Sequence, residues 1–475
     1  MMGGVWSGTE PDSDPPVDAV VIGGGPAGMV AARDLARMGA RTVLVDENAT
    51  LGGQYYKRRT GEVLAQAGDL RPRGTTLAGE VRAAGVDVRT GTLVWGVDDD
   101  GRTVLTACGD RPGSVTGRVT VVATGAHERV MPVPGWELPG VVTPGLALHL
   151  ATIDRVAVGS RVVVAGSGPF LLQVAVALLD VGAHVVAVFE AGRPYRLDGD
   201  ALRAVRYPRR VSQFAGYRAR LAAAGVPVHQ GQQLTAVHGT DRVEGITVAG
   251  PRGPRSEQVD AVALGWGFRP NTELAGLLGC ATTLDPVTGD RTVRVDERGR
   301  TDRDDVVLAG EVAGIAGVRA ALRWGALAAL VAAGRLGLDV PAGREDDALR
   351  AVRTATREAG WTLRRFGPAP GPGTMDDDAL LCRCEAVRVD EVRAAAAGDP
   401  DALKQATRVG MGPCQGRQCL PALAALGLAS RPGAFPARVP VRPVRIGVLA
   451  AAASAAPPPS APADSAIPAT GSAAR

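Results

Sequence analysis

Cys382-x-Cys384 and Cys414-x4-Cys419 bring four of the chain's six cysteines together near its C-terminal end. Thiols so clustered in a reducing compartment read as metal-binding or redox sites before they read as disulfides. Two chemistries fit the pattern. A [2Fe–2S] cluster takes two thiolates on each iron, and a structural zinc takes four around one ion. The Cys-x-Cys start is unlike the two Cys-x-x-Cys knuckles of a zinc ribbon, which favours the cluster. Gly412-Pro413 is expected to turn the chain so that Cys414 enters a helix near its N-terminus, where a thiolate is electrostatically favoured. The stretch between the pairs reads as two short helices broken at Gly398-Asp399-Pro400. Cys108 and Cys280 stand alone and read as small buried hydrophobes.

The second chemistry-bearing pattern is a glycine turn. "DAVVIGGGPAGMVAARDLARMGARTVLVDEN" (18–48) is an apolar run, then Gly23-x-Gly25-x-x-Gly28, an Ala-rich helix, and a strand Thr42–Val45 ending in Asp46. Gly23 allows a tight turn, Gly25 lets backbone approach a diphosphate, and Gly28 lets helix and strand touch. With Pro26 and Ala27 these residues would seat the diphosphate on a helix N-terminus, and Asp46, with Glu47 beside it, would hold ribose hydroxyls. "LGGQYY" (51–56) follows, so that Gly53 and Gln54 would pass near a flavin ring. Two later segments belong with it: a strand ending in Ala123-Thr124-Gly125, and a strand, glycine turn and helix carrying Gly310-Glu311.

A second copy of the pattern lies in "SRVVVAGSGPFLLQVAVALLDVGAHVVAVFE" (160–190). Gly166 and Gly168 are in place, but Leu171 stands at the third glycine position, where it must push helix and strand apart or be absorbed by small neighbours. Glu190 at the end of the next strand would favour NAD over NADP. A structural or adenine-nucleotide-binding role, with NAD or ATP as the occupant, weighs as much as hydride donation.

The elements that must position these groups need more than one core. A chain of 475 residues implies two or three domains. The sequence divides into a disordered leader (1–16), a discontinuous FAD-binding domain (17–150 and 266–345) and a second nucleotide-binding domain (151–265). A helical connector and hinge (346–375), a cysteine domain (376–432) and an extension disordered from about 450 (433–475) complete it. Apolar residues at 45%, charged residues at 21% and a net charge of +4 are ordinary for a soluble protein and give no reason to invoke nucleic acid. Lysine occurs only at Lys57 and Lys404; the scattered arginines read as a compositional habit. Without a run of about 18 apolar residues no membrane span is expected. The acidic, Pro/Gly-rich leader is unlike a signal peptide. A cytoplasmic location is expected, with association at the inner face of the membrane as an alternative.

The glycine turn with Thr124-Gly125 and Gly310-Glu311 resembles the two-dinucleotide-binding-domain flavoproteins, the glutathione and thioredoxin reductase-like family. That resemblance implies an α/β fold in which the Thr-Gly pair and the late Gly-acid pair bracket FAD; this chain has Glu311 where the family has aspartate. The reductases' dithiol beside the flavin is absent from the sequence, which argues against thiol–disulfide exchange. The 376–432 segment is similar to the bacterioferritin-associated-ferredoxin-like (BFD-like) [2Fe–2S] domain, a small, mostly helical unit, with Cys382, Cys384, Cys414 and Cys419 as ligands. Together, "GGQYY", "ATGAHER", "PGWELPGVVTPG", "GSGPFLLQVA", "GFRPNTELAGLLG" and "MGPCQGRQC" resemble the FAD-containing alpha-type subunits of heteromeric amino-acid and opine dehydrogenases. The FAD-containing subunits of octopine/nopaline oxidase, of D-hydroxyproline dehydrogenase (its alpha chain) and of hydrogen cyanide synthase (its B chain) belong to that set.

The resemblance implies an electron relay. A smaller D-amino-acid-oxidase-like flavoprotein partner would oxidise the C–N bond of an amino acid, imino acid or opine, and electrons would pass through this chain to a quinone or other acceptor. No histidine–carboxylate pair sits in a catalytic motif: His127, His149, His184, His229 and His238 are scattered, and His127, just past Thr124-Gly125, reads as structural before it reads as flavin-facing. The alternatives are an autonomous NAD(P)H-dependent flavin and iron–sulfur reductase, and a nucleotide-binding scaffold subunit.

Overall fold

A computed structural model describes residues 16–57, 71–98, 101–196, 198–285, 288–367, 375–395, 400–428 and 437–454. The leader, most of the hinge, the Gly398-Asp399 break and the tail past 454, with the disorder expected of both ends, lie outside these residues.

The first nucleotide fold is built on β1 (Val17–Ile22), α1 (Pro26–Arg37) and β2 (Thr42–Val45). Ala19–Ile22 and all of β2 are buried, because a parallel strand covered on both faces must be apolar throughout. β1 and β2 pair in parallel from Ala19 opposite Thr42 to Ile22 opposite Val45. Beyond them come β3 (Asp87–Arg89), β4 (Thr92–Val97), β5 (Thr103–Cys108) and β6 (Arg111–Val122). The sheet order is β3-β2-β1-β6-β5-β4, and the strand Val306–Leu308 also pairs with β6. β6 serves two neighbours along its length: residues 111–116 run antiparallel to β5, and 117–122 run parallel to β1. The helix Gly317–Leu336 lies on α1 so closely that a side chain at Gly325 would collide with the Ala27 carbonyl.

The second fold is a five-stranded parallel sheet, in the order Val228–Gln230, His184–Glu190, Arg161–Gly166, Ala261–Gly265, Val141–Val142. The helices Phe170–Leu179 and Pro208–Ala223 form its crossovers. One long helix joins the two folds. It runs from Arg344 to Phe366, about 35 Å, with Glu345, Asp346 and Asp347 in its first turn and Arg364 and Arg365 in its last, the order the helix dipole favours. Leu349 and Val352 pack into the first core, and Phe366 is buried against the second fold.

The cysteine domain is a strand pair (Leu380–Cys382 with Val387–Arg388) and three short helices, Val389–Ala394, Pro400–Thr407 and Leu420–Ala425. Its core residues Leu381, Val387, Val392, Leu403 and Leu423 are continuous with Val133, Trp136 and Trp266 of the body. The Trp136 indole donates to the Leu380 carbonyl at 2.6 Å, and the Arg383 guanidinium lies 5.1 Å over its ring. The extension returns to the first fold. Its helix Ile446–Ser454 buries Val448 against Trp95 and Ala107. Among the described residues no helix is long and apolar enough to cross a membrane.

Candidate functional site: two nucleotide folds and a thiol cluster

The first glycine turn follows its expected geometry. Gly23 has φ +107°, and a side chain at Gly28 would strike the Gly23 carbonyl. Gly25, with extended backbone, caps α1 without a side-chain hydrogen bond; Pro26 begins the helix, and its first turn holds no acid. That end therefore presents unpaired N–H groups and a positive partial charge, which is what a diphosphate requires. The "LGGQYY" loop closes on it: Gly52 N–H donates to the Gly24 carbonyl at 2.8 Å, and a Cβ on Gly53 would stand 2.8 Å from Gly25 Cα. Gln54 is exposed. Asp46 is buried and spends its carboxylate on the turn, accepting from Gly24 N–H at 2.5 Å and from Asn48 N–H and Nδ2 at 2.7 and 2.8 Å. Glu47 is exposed and pairs with Arg442 at 2.8 Å.

Thr124 and Gly125 are tied to the far side of the body. Thr124 Oγ1 donates to the Asn271 carbonyl at 2.8 Å, and Asn271 N–H donates to Gly125 O at 3.0 Å. Gly310 has φ +84° with Ala27 close by, and Glu311 reaches back to accept Gly317 N–H at 3.1 Å. The extra methylene of glutamate thus caps the following helix, and burial pushes its carboxyl up from the ordinary value.

At the second turn Gly166 and Gly168 have φ +133° and +124°, and a side chain on Gly166 would meet the Gly265 carbonyl. Leu171 is absorbed rather than tolerated at a distance: it is 2% exposed, in a core with Val162, Val164 and Ala175. Glu190 is also buried. It accepts Gly168 N–H at 3.0 Å and Gly192 N–H at 2.9 Å, and burial raises its carboxyl to about 7.

The four thiols converge as two pairs. Cys382 and Cys419 shift each other's titration most strongly, Cys414 acts on Cys384 more than the other thiols do, and weaker effects run between the pairs. All are free cysteines. The Cys419 thiol, helped by the N–H groups of Gly410, Glu385 and Cys384, brings Cys382 down to about 6, while Cys382 and burial push Cys419 up. Burial raises Cys384. Backbone N–H groups aimed at sulfur are the donors a cluster's thiolates need, and a Cβ at Gly412 would collide with Cys384, so the cradle requires that glycine. Among the described residues no three His, Cys, Asp or Glu side chains converge on one point as a single ion demands.

Two expectations about cysteines fail. Cys414 lies in a turn, with Gln415 and Gly416 at φ +51° and +82°, and the helix starts at Leu420, so Cys419 rather than Cys414 caps it. Cys108 is exposed, at the end of β5 beside the turn to β6; Cys280 is buried as expected.

The polar junction between these parts has no counterpart in the sequence motifs. The strand Phe268–Pro270 pairs with Ala126–Glu128, directly after the Thr124-Gly125 turn, and presents Arg269. Arg269 is 3% exposed and donates to the Arg417 carbonyl, between Cys414 and Cys419, at 2.7 Å. Glu273 lies 3.6 Å from Arg269, 3.5 Å from Arg417 and 4.0 Å from His127. Burial works to raise the Glu273 carboxyl, but Arg269, His127 and Arg417 bring it below its ordinary value. Burial pushes His127 down to about 4, leaving it neutral at pH 7. Residues so far apart in sequence carry no local signal of meeting.

Comparison with known proteins agrees with this geometry. Residues 17–335 match the pyridine nucleotide-disulphide oxidoreductase family, and 380–426 match the BFD-like [2Fe–2S] binding domain. The chain therefore belongs to the pyridine nucleotide-disulphide oxidoreductase family, with a BFD-like domain appended. It is 33% identical to the A-type subunit of opine oxidase from Agrobacterium tumefaciens (strain Ach5) over 471 residues, covering 91% of each chain. It is 31% identical to hydrogen cyanide synthase subunit HcnB of Pseudomonas protegens over 431 residues, covering 85% of this chain and 90% of that one. These relatives place it as a flavin and [2Fe–2S] oxidoreductase subunit of a heteromeric dehydrogenase. In fold it is similar to L-proline dehydrogenase from P. horikoshii (TM-score 0.66, 22% identity, 93% of this chain and 81% of that one) and to T. acidophilum thioredoxin reductase (TM-score 0.52, 20% identity, 68% and 99%).

Proposed function

We propose that this chain is the electron-relay subunit of a dehydrogenase acting on the C–N bond of an amino acid, imino acid or opine. The substrate is handled by a smaller D-amino-acid-oxidase-like flavoprotein partner, and a quinone or other carrier accepts the electrons. Gly23, Gly25, Pro26, Ala27, Gly28, Asp46, Glu47, Gly53, Gln54, Thr124, Gly125, Gly310 and Glu311 would hold FAD; Cys382, Cys384, Cys414 and Cys419 would hold the cluster. When bound, FAD couples two-electron to one-electron transfer and the cluster carries single electrons.

One observation supports this reading above the rest. The loop between Cys414 and Cys419 is hydrogen-bonded through Arg417 to Arg269, on the strand pair that continues the Thr124-Gly125 turn. The Thr124-Gly125 turn and the loop between Cys414 and Cys419 are thus parts of one junction. Arg269 and Arg417 place positive charge beside the thiolate loop, and Glu273 offsets it.

The test is anaerobic, on the chain purified alone. Flavin near one and iron near about two per chain are expected, and photochemical reduction of the flavin should be followed by the electron paramagnetic resonance signal of a reduced cluster. Zinc in place of iron, or a flavin that reduces while the iron stays oxidised, would contradict the relay.

A further inference from the structure

The second glycine turn is covered by the chain itself. The helix Arg344–Phe366 ends over the carboxyl ends of the strands Arg161–Gly166 and His184–Glu190, where a doubly wound sheet holds its ligand. The Phe366 carbonyl accepts the Ser167 hydroxyl at 3.4 Å, inside the glycine turn, and a side chain on Gly192 would run into that same carbonyl. The Phe366 ring is edge-on to Tyr195 (centroids 6.3 Å apart) and to Phe214 (5.8 Å), and the residue is 3% exposed. An aromatic slot at this position of the fold is what an adenine ring would use.

Further contacts hold the helix end down. Arg365 Nε and Nη2 donate to the Pro194 carbonyl at 2.9 and 2.6 Å, and Nη1 donates to Asp198 at 2.5 Å. One turn earlier, the Trp361 indole donates to the Asp200 carbonyl at 3.1 Å and lies 5.2 Å from the Tyr207 ring. Glu190, which would read a ribose, already accepts from Gly168 and Gly192.

We infer that Arg365–Phe366 is a built-in stopper seated in the adenosine place of the second nucleotide fold, so that an adenine dinucleotide and the helix end exclude one another. The stopper does not depend on the relay: it holds whatever the partner or acceptor is. Gly367, at φ +79°, ends the helix, and the chain then leads to Met375 and the cysteine domain.

The experiment compares the full chain with its R365A/F366A double variant, using ADP and NAD+ as probes in titration calorimetry. A site open a tenth of the time or less weakens apparent affinity about tenfold or more. Tighter ADP binding by the variant, by at least that factor, is expected; equal affinities would overturn the stopper. Flavin and iron content of the same preparations report on the relay separately. If the variant does not fold, hydrogen exchange on the unaltered chain decides. A seated stopper predicts that the Gly367 amide, bonded to the Leu363 carbonyl at 3.1 Å, exchanges as slowly as amides near Val352. Exchange at the rate of a frayed helix end would overturn it.

Discussion

The two glycine turns of this chain share a pattern and differ in what stands over them. At the first, Gly25 leaves the N-terminus of α1 uncapped, and the Gly52–Gly53 loop supports the turn from the side. At the second, Leu171 fills the space a glycine would leave and Phe366 sits on the turn, while Glu190 is held by backbone N–H groups much as Asp46 is at the first. Repeating a βαβ unit repeats its anion-binding end, but whether that end meets a ligand depends on segments far away in sequence. Here one copy is open and the other has become a socket for a helix.

Substitutions at equivalent positions can break this comparison. The largest effect belongs to Gly28→Val. The added side chain would strike the Gly23 carbonyl, so the purified variant should lose its flavin altogether, read as the flavin absorbance remaining after gel filtration. Next comes Leu171→Ala at the matching position of the second turn. It leaves a cavity among Val162, Val164 and Ala175, costing about 2–5 kcal/mol in denaturant unfolding, while the flavin stays bound.

Glu190→Gln sharpens the contrast through pH. Burial raises the Glu190 carboxyl to about 7 in the folded chain. Its contribution to stability is therefore complete below about pH 4.5, is lost as pH rises toward 7, and is constant above that. The total change is about 3 kcal/mol. The variant should lack that slope in unfolding curves collected from pH 4.5 to 7.5. The smallest effect is expected at Arg442→Ala. This half-buried partner of Glu47 sits on the rim of the first turn, and its loss should change stability by less than about 1 kcal/mol and leave flavin content unaltered.

Local pattern carried much of this architecture. The apolar run before Gly23 and the spacing of three glycines predicted β1, α1 and β2, and the helical part of the connector expected over 346–375 is a helix from Arg344 to Phe366. The helix start at Leu420 was legible too, since Pro421 falls in its first turn, where proline is favoured, whereas Gly412-Pro413 makes a turn and no helix start. What no local pattern held were the meetings at long range. Phe366 reaches Ser167 across 199 positions, and Arg269 reaches Arg417 across 148. Such contacts follow from how three cores dock, and docking is decided by buried faces such as Trp136 against Leu380, which have no periodicity to read.

Where electrons enter the chain decides between a relay and a reductase. The most direct measurement is an anaerobic titration of the purified chain, carrying its flavin and iron, with NADH while the flavin absorbance is followed. An open first turn and a stoppered second one predict that the flavin stays oxidised. Rapid bleaching by NADH would contradict the relay, and would make the chain a reductase in its own right.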